Sequence, residues 1–336
     1  MIRLNRKSVH DQYSPQLDKL LDEINPEVVH IHNGYYRPHR DAAKKAKEKG
    51  MAVVHTWHGG AIKDEDEKDP KKREIQGRLH KIHNETAELA DYNIGISETG
   101  KKAFDNNEDV LSLYGVDLKH FNPNKVSDED IRSSRENINA KDDDFVFFFP
   151  GRYHTQKNQH GLLKAFARVS KDNPEAKLVL AGQKFDDENG KQYLDQLNKL
   201  VNDYNLEDKV VMMDKVESRD DMRNLYAASD AVIYPSTNEG RGRSLIEAMA
   251  MKKPVLASQD AGLKDSLQAA DGSKGLLFDP DSIDDIINNM NKIMTNDTLR
   301  KDMSVKAREY AVNNLSIKPY ANQYHKLYKK LVAEKT

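Results

Sequence analysis

The sequence predicts an α/β protein built as two parallel-sheet units. Three observations point there. Short apolar runs recur between helical stretches; 336 residues suffice for two domains at about 100–200 residues each; and a charge-rich stretch from Asn122 to Asp144 divides the pattern in two. Strands that are apolar throughout and separated by helices belong to parallel sheets covered on both faces.

The elements follow in order. Leu17, Leu20, Leu21 and Ile24 have helical spacing, and Asn25-Pro26 stops that helix. Val28 to Ile31 reads as a buried strand, Arg40 to Lys49 as a charged helix ended by Gly50, and Ala52 to His55 as a second strand. A charged loop, Lys63 to Arg73, leads into a helix reaching Ala90 and a strand from Tyr92 to Ile96. Beyond the divide, strands are expected at Phe145–Phe149, Lys177–Ala181, Val210–Met213, Ala231–Tyr234 and Pro254–Ala257. Helices are expected between them at Gly161–Ser170, Tyr193–Tyr204, Asp220–Ala228 and Ser244–Met251. Two long amphipathic helices, Ile283–Leu315 and Tyr320–Leu331, close the pattern. The expected domains are 1–125 and 126–315, with a helix in 316–336 packing back toward the first.

Composition excludes several classes. Lys plus Arg total 53 against 55 for Asp plus Glu. The balance holds on both sides of Lys125, with 21 basic and 21 acidic residues up to it and 32 against 34 after it. Neither half has the basic excess of a nucleic-acid binder. Without cysteine there is no disulfide and no thiolate metal site. No apolar run approaches the ~18 residues of a membrane-spanning helix, and residues 1–10 are too polar for a signal peptide. A cytoplasmic protein is expected. Peripheral attachment through the basic stretches Lys44–Lys49 and Lys71–Lys81 is the alternative, although Glu48 and the acids of 64–69 make these a mixed, solvated surface.

The most informative segment runs from Asn238 to Ala250. It follows the strand Ala231–Tyr234 and opens a helix. In open α/β sheets, ligands sit beyond the carboxyl ends of strands, where loops meet helix N-termini. Gly240 and Gly242 permit close backbone approach, and the amides at the helix start (Arg241, Arg243, Ser244) favour an anion such as a diphosphate. Glu239 is placed to accept hydrogen bonds from sugar hydroxyls, and Glu247, two turns on, from a second diol such as a ribose. Against this, two glutamates eight apart are common on ordinary surfaces; the glycine context and the strand–loop–helix setting favour a site. A second cluster, Phe147 to Asn158, sets Gly151, Arg152 and Lys157 beyond another strand, where two cations can clamp a diphosphate.

Histidines form the third cluster: His30, His32, His55 and His58 lie at or just after two adjacent strands, with Asn33 and Gly59-Gly60 beside them. Two residues apart in a strand, His30 and His32 share a face. No cysteine or nearby acid completes a zinc set, so no metal is expected, and hydrogen-bonding structural histidines are the plain reading. Trp57, the single tryptophan, reads as core in preference to a sugar-stacking platform.

These residues carry a resemblance. Pro150-Gly151-Arg152 with Lys157, Leu180-Ala181-Gly182, Leu225 to Asp230, Pro235-Ser236, Glu239-Gly240, Glu247 to Ala250 and Pro254 to Ser258 resemble the family-four retaining glycosyltransferases. Tyr114 to Asp117, Phe121-Asn122-Pro123, Ala90-Asp91 and Ile96-Ser97 extend the similarity from about Asn25 to Leu331. The Glu-x7-Glu segment is its most specific part. The resemblance implies a GT-B fold, that is, two Rossmann-like parallel-sheet domains facing a cleft, and retaining, metal-independent transfer from a nucleotide-diphosphate sugar, UDP-sugar favoured. By that resemblance Arg152 and Lys157 neutralise the departing diphosphate and Glu239 holds the donor sugar. Gly240 to Arg243 contact sugar and phosphate, Glu247 binds the ribose, and Lys215 and Val216 lie against the base. His58 touches the acceptor or the transferred sugar, with His32, Asn33, Gly59 and Gly60 on the acceptor side. No cofactor is implied beyond the nucleotide sugar itself, which is a substrate.

The sequence departs from the family in two ways. The usual opening strand and glycine-rich loop are not found before Pro26, so a reduced N-terminal domain is expected: a natural minimal version, a truncated chain, or one completed by a partner subunit or a second copy. The usual Glu-Gly-Phe-Gly pattern is also changed, with Arg241 and Arg243 in the donor loop, which suits either an additional anion or plain solvent. Three other readings stand beside an active transferase. A non-catalytic nucleotide-sugar-binding subunit and a phosphorylase of the same fold are compatible with these residues. A dinucleotide-dependent oxidoreductase is disfavoured, because no Gly-x-Gly-x-x-Gly follows the first strand of either half. The acceptor (sugar, lipid or protein) is not specified by any motif.

Overall fold

A computed structural model describes residues 15–58, 70–96, 104, 115–185, 187–237, 239, 242–259, 261–267 and 275–335. They form two compact units, one from residues 1–114 together with 318–336, the other from 115–317. Gly115–Lys125, placed with the first domain on sequence, therefore belongs to the second unit. Val116 pairs with Ser316, and the Arg308 guanidinium donates to the Phe121 carbonyl at 3.1 Å.

In the first unit the described strands β1 (Val28–His32), β2 (Ala52–Trp57) and β3 (Tyr92–Gly95) pair in parallel in the order β1-β2-β3. Strand alternation sorts their side chains between two cores. Val29, Ile31 and Val53 pack with Leu21 of the helix Pro15–Ile24 and with Ala42, Ala43 and Ala46 of the helix Arg37–Glu48. On the opposite face, Val28, Ala52, Val54 and Ile94 pack against Leu327 and Leu331, with Tyr320, Tyr324 and Tyr328 around them. Those side chains lie on the helix Ile317–Ala333, whose tyrosines recur every four residues and so form one stripe.

In the second unit six strands run in parallel in the order β6-β5-β4-β7-β8-β9. They are β4 (Phe145–Pro150), β5 (Ala176–Ala181), β6 (Val210–Met213), β7 (Ala231–Tyr234), β8 (Val255–Ser258) and β9 (Leu276–Phe278). The chain builds outward from β4 in one direction, then crosses back to β7 and builds the other way. β4 and β7 are hydrogen-bonded neighbours, Phe147 opposite Ala231 and Phe148 opposite Val232, so the reversal of strand order falls between them. Val146 to Pro150 and Ala231 to Tyr234 are all buried, as central strands with helices on both faces must be.

Beyond β9 and the helix Ala261–Leu267, which the sequence reading did not contain, two further elements differ from it. The polar stretch 122–144 contains a helix, Asp128–Asn137, opened by a capping box in which the Ser127 hydroxyl and the Asp130 carboxylate exchange hydrogen bonds with each other's backbone amides. The helix expected over Ile283–Leu315 is two, Ile283–Thr295 and Asp297–Asn314. Asn296 divides them, its side-chain oxygen accepting from the Leu299 amide at 2.9 Å as the N-cap of the second.

Candidate functional site

The two loops that sequence singled out leave the carboxyl ends of β4 and β7, the neighbours at which the strand order reverses. That is where an open parallel sheet has its ligand crevice, since the loops on either side run in opposite directions. The register that pairs Phe147 with Ala231 carries Pro150 level with Tyr234, so Gly151-Arg152 and Pro235-Ser236 emerge side by side. The loops are tied together by the Thr237 amide, which donates to the Gln156 carbonyl at 2.9 Å.

The loop after β4 is stiffened from below. Tyr153 is buried with its hydroxyl 3.0 Å from the Leu180 carbonyl and 2.8 Å from that of Met213, and burial raises its pKa. Gly182, following β5, makes room for this loop. A Cβ there would lie 2.1 Å from the Gly151 carbonyl oxygen, so only glycine fits. A short 3-10 turn, Thr155–Lys157, ends at Asn158, whose left-handed backbone (φ 51°) starts the next helix. The Asn158 side chain donates to the Pro280 carbonyl at 2.9 Å and so fixes the position of Lys157 beside it.

Lys157 and Glu239, 82 residues apart in sequence, form an ion pair, and both side chains are largely shielded from solvent. A cation and a carboxylate held together across the β4 and β7 loops can bind a diphosphate on one side and sugar hydroxyls on the other. Arg152 is exposed and carries its guanidinium 5.7 Å above the Phe185 ring, which steadies a charge near the same strand end. Gly242 caps the helix Arg243–Ala250 in the left-handed conformation (φ 67°), and a Cβ there would meet Leu263 at 2.7 Å. The helix start at Arg243 and Ser244 therefore has the glycine cap its geometry requires.

Glu247 lies on that helix, with its carboxylate 3.3 Å from the hydroxyl of fully buried Tyr226, which also reaches the Ser244 carbonyl at 3.0 Å. Burial raises the Glu247 pKa to about 7, against the opposing pull of Arg243 and of the Tyr226 hydrogen bond. Lys215 and Val216 follow β6, the edge strand, with β5 between them and β4; Lys215 is turned to Glu217 at 2.8 Å. The structure thus brings Lys157 to Glu239 and sets Arg152 and the helix carrying Glu247 on the two loops of the reversal. Lys215 stays on its own edge with Glu217. Gly240 and Arg241, and on the first unit Gly59 and Gly60, lie outside the described residues.

The first unit holds the histidines. His30 and His32 share a face of β1 and their rings stack at 4.2 Å. His30 bonds through Nδ1 to the Tyr328 hydroxyl at 2.6 Å and through Nε2 to the Thr56 hydroxyl at 2.7 Å. Burial, reinforced by His32 and His58, pulls its pKa down to about 3, so it is neutral at ordinary pH. His32 reaches His58 at 2.7 Å, and burial lowers its pKa as well. His55 belongs to the opposite face and is structural. The Gly34 amide donates to its Nε2 at 3.0 Å, which leaves Nδ1 to donate to the Asn93 side-chain oxygen at 3.1 Å. Asn33 has a left-handed backbone (φ 57°), and its side-chain oxygen accepts from the His58 amide at 2.9 Å. Trp57 meets the His83 ring edge-on at 4.7 Å and is half-buried.

Sequence reasoning passed over three partners. Tyr226 supports Glu247, Thr56 holds His30, and the tyrosine stripe of Ile317–Ala333 covers the histidine face. The repeat Tyr320, Tyr324, Tyr328 was the signal for the last; the first two carry no local signature.

Comparison with known proteins gives the family and the fold. The family model described as glycosyl transferases group 1 matches residues 130–310. The chain is 26% identical over 332 residues to UDP-Gal:alpha-D-GlcNAc-diphosphoundecaprenol alpha-1,3-galactosyltransferase of Escherichia coli, covering 95% of this chain and 79% of that protein. Among solved structures, Anabaena HepE in complex with UDP and glucose superimposes with a TM-score of 0.80 at 21% identity, over 94% of this chain and 81% of HepE. Sucrose-phosphate synthase from Thermosynechococcus elongatus does so with 0.78 at 21% identity, over 94% and 76%. The two parallel sheets are those of a GT-B fold, and with more than half of its length matched, the chain belongs to the glycosyl transferases group 1.

Proposed function

We propose that this glycosyltransferase is retaining and metal-independent and takes its sugar from a UDP-sugar. The observation that carries the reading is the Lys157–Glu239 pair at the strand-order reversal. A transferase whose donor ends in a diphosphate must stabilise the charge that appears on that leaving group, commonly the largest electrostatic task in such a reaction. Lys157, Arg152 and the amides opening the helix Arg243–Ala250 supply positive charge and dipole for it. Glu239 accepts from the sugar hydroxyls and keeps the anomeric carbon over the diphosphate. Glu247 accepts from the ribose as a carboxylate. Gly242, Arg243 and Ser244 face the phosphates, Gly240 and Arg241 are donor contacts by the sequence resemblance, Gly151 lets the β4 loop approach, and Lys215 and Val216 border the base. His58, with His32, Asn33, Gly59 and Gly60, serves the acceptor or the transferred sugar.

UDP is favoured because the galactosyltransferase relative names UDP-Gal as its donor and HepE is described in complex with UDP and glucose. Retention is the course the sequence resemblance implies. No described helix is long and apolar enough to cross a membrane; a cytoplasmic location, peripheral at most, is part of the same proposal. A thermal-shift series with UDP, GDP, ADP and their sugars tests the donor, since at equal concentration the tighter ligand stabilises the fold more. UDP-sugars should raise the melting temperature most. Hydrolysis of the preferred donor, followed by NMR of the released sugar, should give the α anomer first and continue in EDTA. No shift with any nucleotide, or β sugar first, overturns the reading.

A further inference from the structure

We propose that His32 is a positioning residue: its hydrogen bond to His58 fixes the rotation of the imidazole that acts on the sugar and ties that ring's tautomer to its own. The inference rests on the reading of His58 given above. It starts from the register of β1 on β2, which sets His32 opposite Thr56 and His30 opposite Val54. Alternation then turns His30 and His32 to the face covered by the helix Ile317–Ala333, where Tyr328 and Thr56 bond both nitrogens of His30. With its ring immobilised, His30 is a platform on which the His32 ring stacks at an interplanar angle of 27°. That stack leaves His32 Nδ1 aimed at His58 Nε2, 2.7 Å away.

The main chain of His58 hangs from the neighbouring residue. Its amide donates to the Asn33 side chain, and Asn33 is itself held by its amide on the Thr56 carbonyl at 2.8 Å. Residues 32 and 33 therefore each hold His58, the first at its ring and the second at its backbone.

Two imidazole nitrogens at this distance share one proton, because one must donate and the other accept. A doubly protonated pair would set two N–H groups against each other. In the neutral pair the two rings are complementary at this contact, and whichever role Nε2 of His58 takes, Nδ1 takes the other. For work on a sugar hydroxyl this decides whether Nδ1 presents a lone pair or a proton. Among the described residues, His30 stacks on His32, and Tyr324 and Tyr328 from the helix pack on His30.

The test uses the full chain labelled with 15N-histidine. Imidazole 15N shifts at about pH 8 should show His32 and His58 each in one tautomer, both protonated at Nδ1 or both at Nε2, as one donor facing one acceptor requires. In His32→Phe the His58 signals should move to the average of two tautomers, while His32→Asn, which keeps a polar group near the Nδ1 position, should restore the wild-type pattern. With UDP-glucose as the probe donor, His32→Phe should slow hydrolysis by up to about a hundredfold without changing the donor KM. His32→Asn should recover most of the rate, and His32→Phe/His58→Ala should be no slower than His58→Ala alone. Melting curves of both His32 variants show that they fold. An unaltered His58 tautomer in His32→Phe, or additive losses in the double variant, overturns the proposal. Full-rate hydrolysis by His58→Ala overturns the reading of His58, and the tautomer shifts tell that failure from the other.

Discussion

The two sheets carry their polar residues in opposite ways. In the second unit the site residues stand on loops, past the strand ends, where six strands reverse their order and two loops diverge. Its chemistry is ionic: Lys157 against Glu239, Arg152 on the same β4 loop over Phe185, and glycines at Gly182 and Gly242 where backbone must pass close. In the first unit the three described strands run β1-β2-β3 without a reversal, and the polar residues lie within or just after the strands. Their chemistry is neutral, with imidazoles bonded to hydroxyls and to each other and burial holding His30 uncharged. The contrast teaches that a parallel sheet has two routes to a functional edge. One uses topology to open a crevice and fills it with charge; the other uses side-chain alternation to stack rings on a covered face.

The largest expected effect tests the ionic half. Glu239→Ala or Lys157→Ala should lower donor turnover by about 10²–10³-fold, measured as release of UDP from UDP-glucose; a loss below threefold would break the comparison at its strongest point. Next comes the covered face. Leu327 is buried against Ala52, Val54 and Ile94, and Leu327→Ala should destabilise the first unit by about 2–5 kcal/mol. Calorimetry should show one transition shifting while UDP still stabilises another.

A smaller effect concerns Glu247. Its folded pKa, about 7, lies above its ordinary 4.5, so the folded state holds a proton that the unfolded chain releases. The stabilisation is complete below pH 4.5 and is lost as pH rises to about 7, at no more than ~1.4 kcal/mol per pH unit. Glu247→Gln should flatten the melting temperature across that window. UDP affinity in the native protein should rise as pH passes 7 and the carboxylate forms, and it should be weaker and pH-independent in the variant. The smallest effect is Tyr226→Phe, which removes a buried hydroxyl from Glu247 and Ser244 and should cost about 1 kcal/mol, read by urea denaturation.

Legibility in the sequence follows the same contrast. Strands β4, β5, β7 and β8 could be read because central parallel strands are apolar on both faces and bounded by loops. β9, three residues long, gives too short a run. The helix Asp128–Asn137 has no buried residue, so it shows no periodicity, and only its Ser127–Asp130 box marks it. Asn296 went unread as a break because polar residues flank it on both sides within a continuous amphipathic pattern. In the site, Lys157 and Glu239 could each be proposed from the strand-end rule, but their contact spans 82 positions and needs the order of the strands. His32 and His58 were found as neighbours of strands. Their shared proton depends on parallel register, which a single chain does not spell out.

The helix Ile317–Ala333 has a consequence for synthesis. It completes the first unit, yet about 200 residues of the second unit are made between that unit's opening stretch and its closing helix. At 5–20 residues per second this takes roughly 10–40 s. For that interval the Val28, Ala52, Val54 and Ile94 surface waits without its cover on a ribosome-bound chain, the period in which a chaperone or a neighbouring nascent chain has access to it.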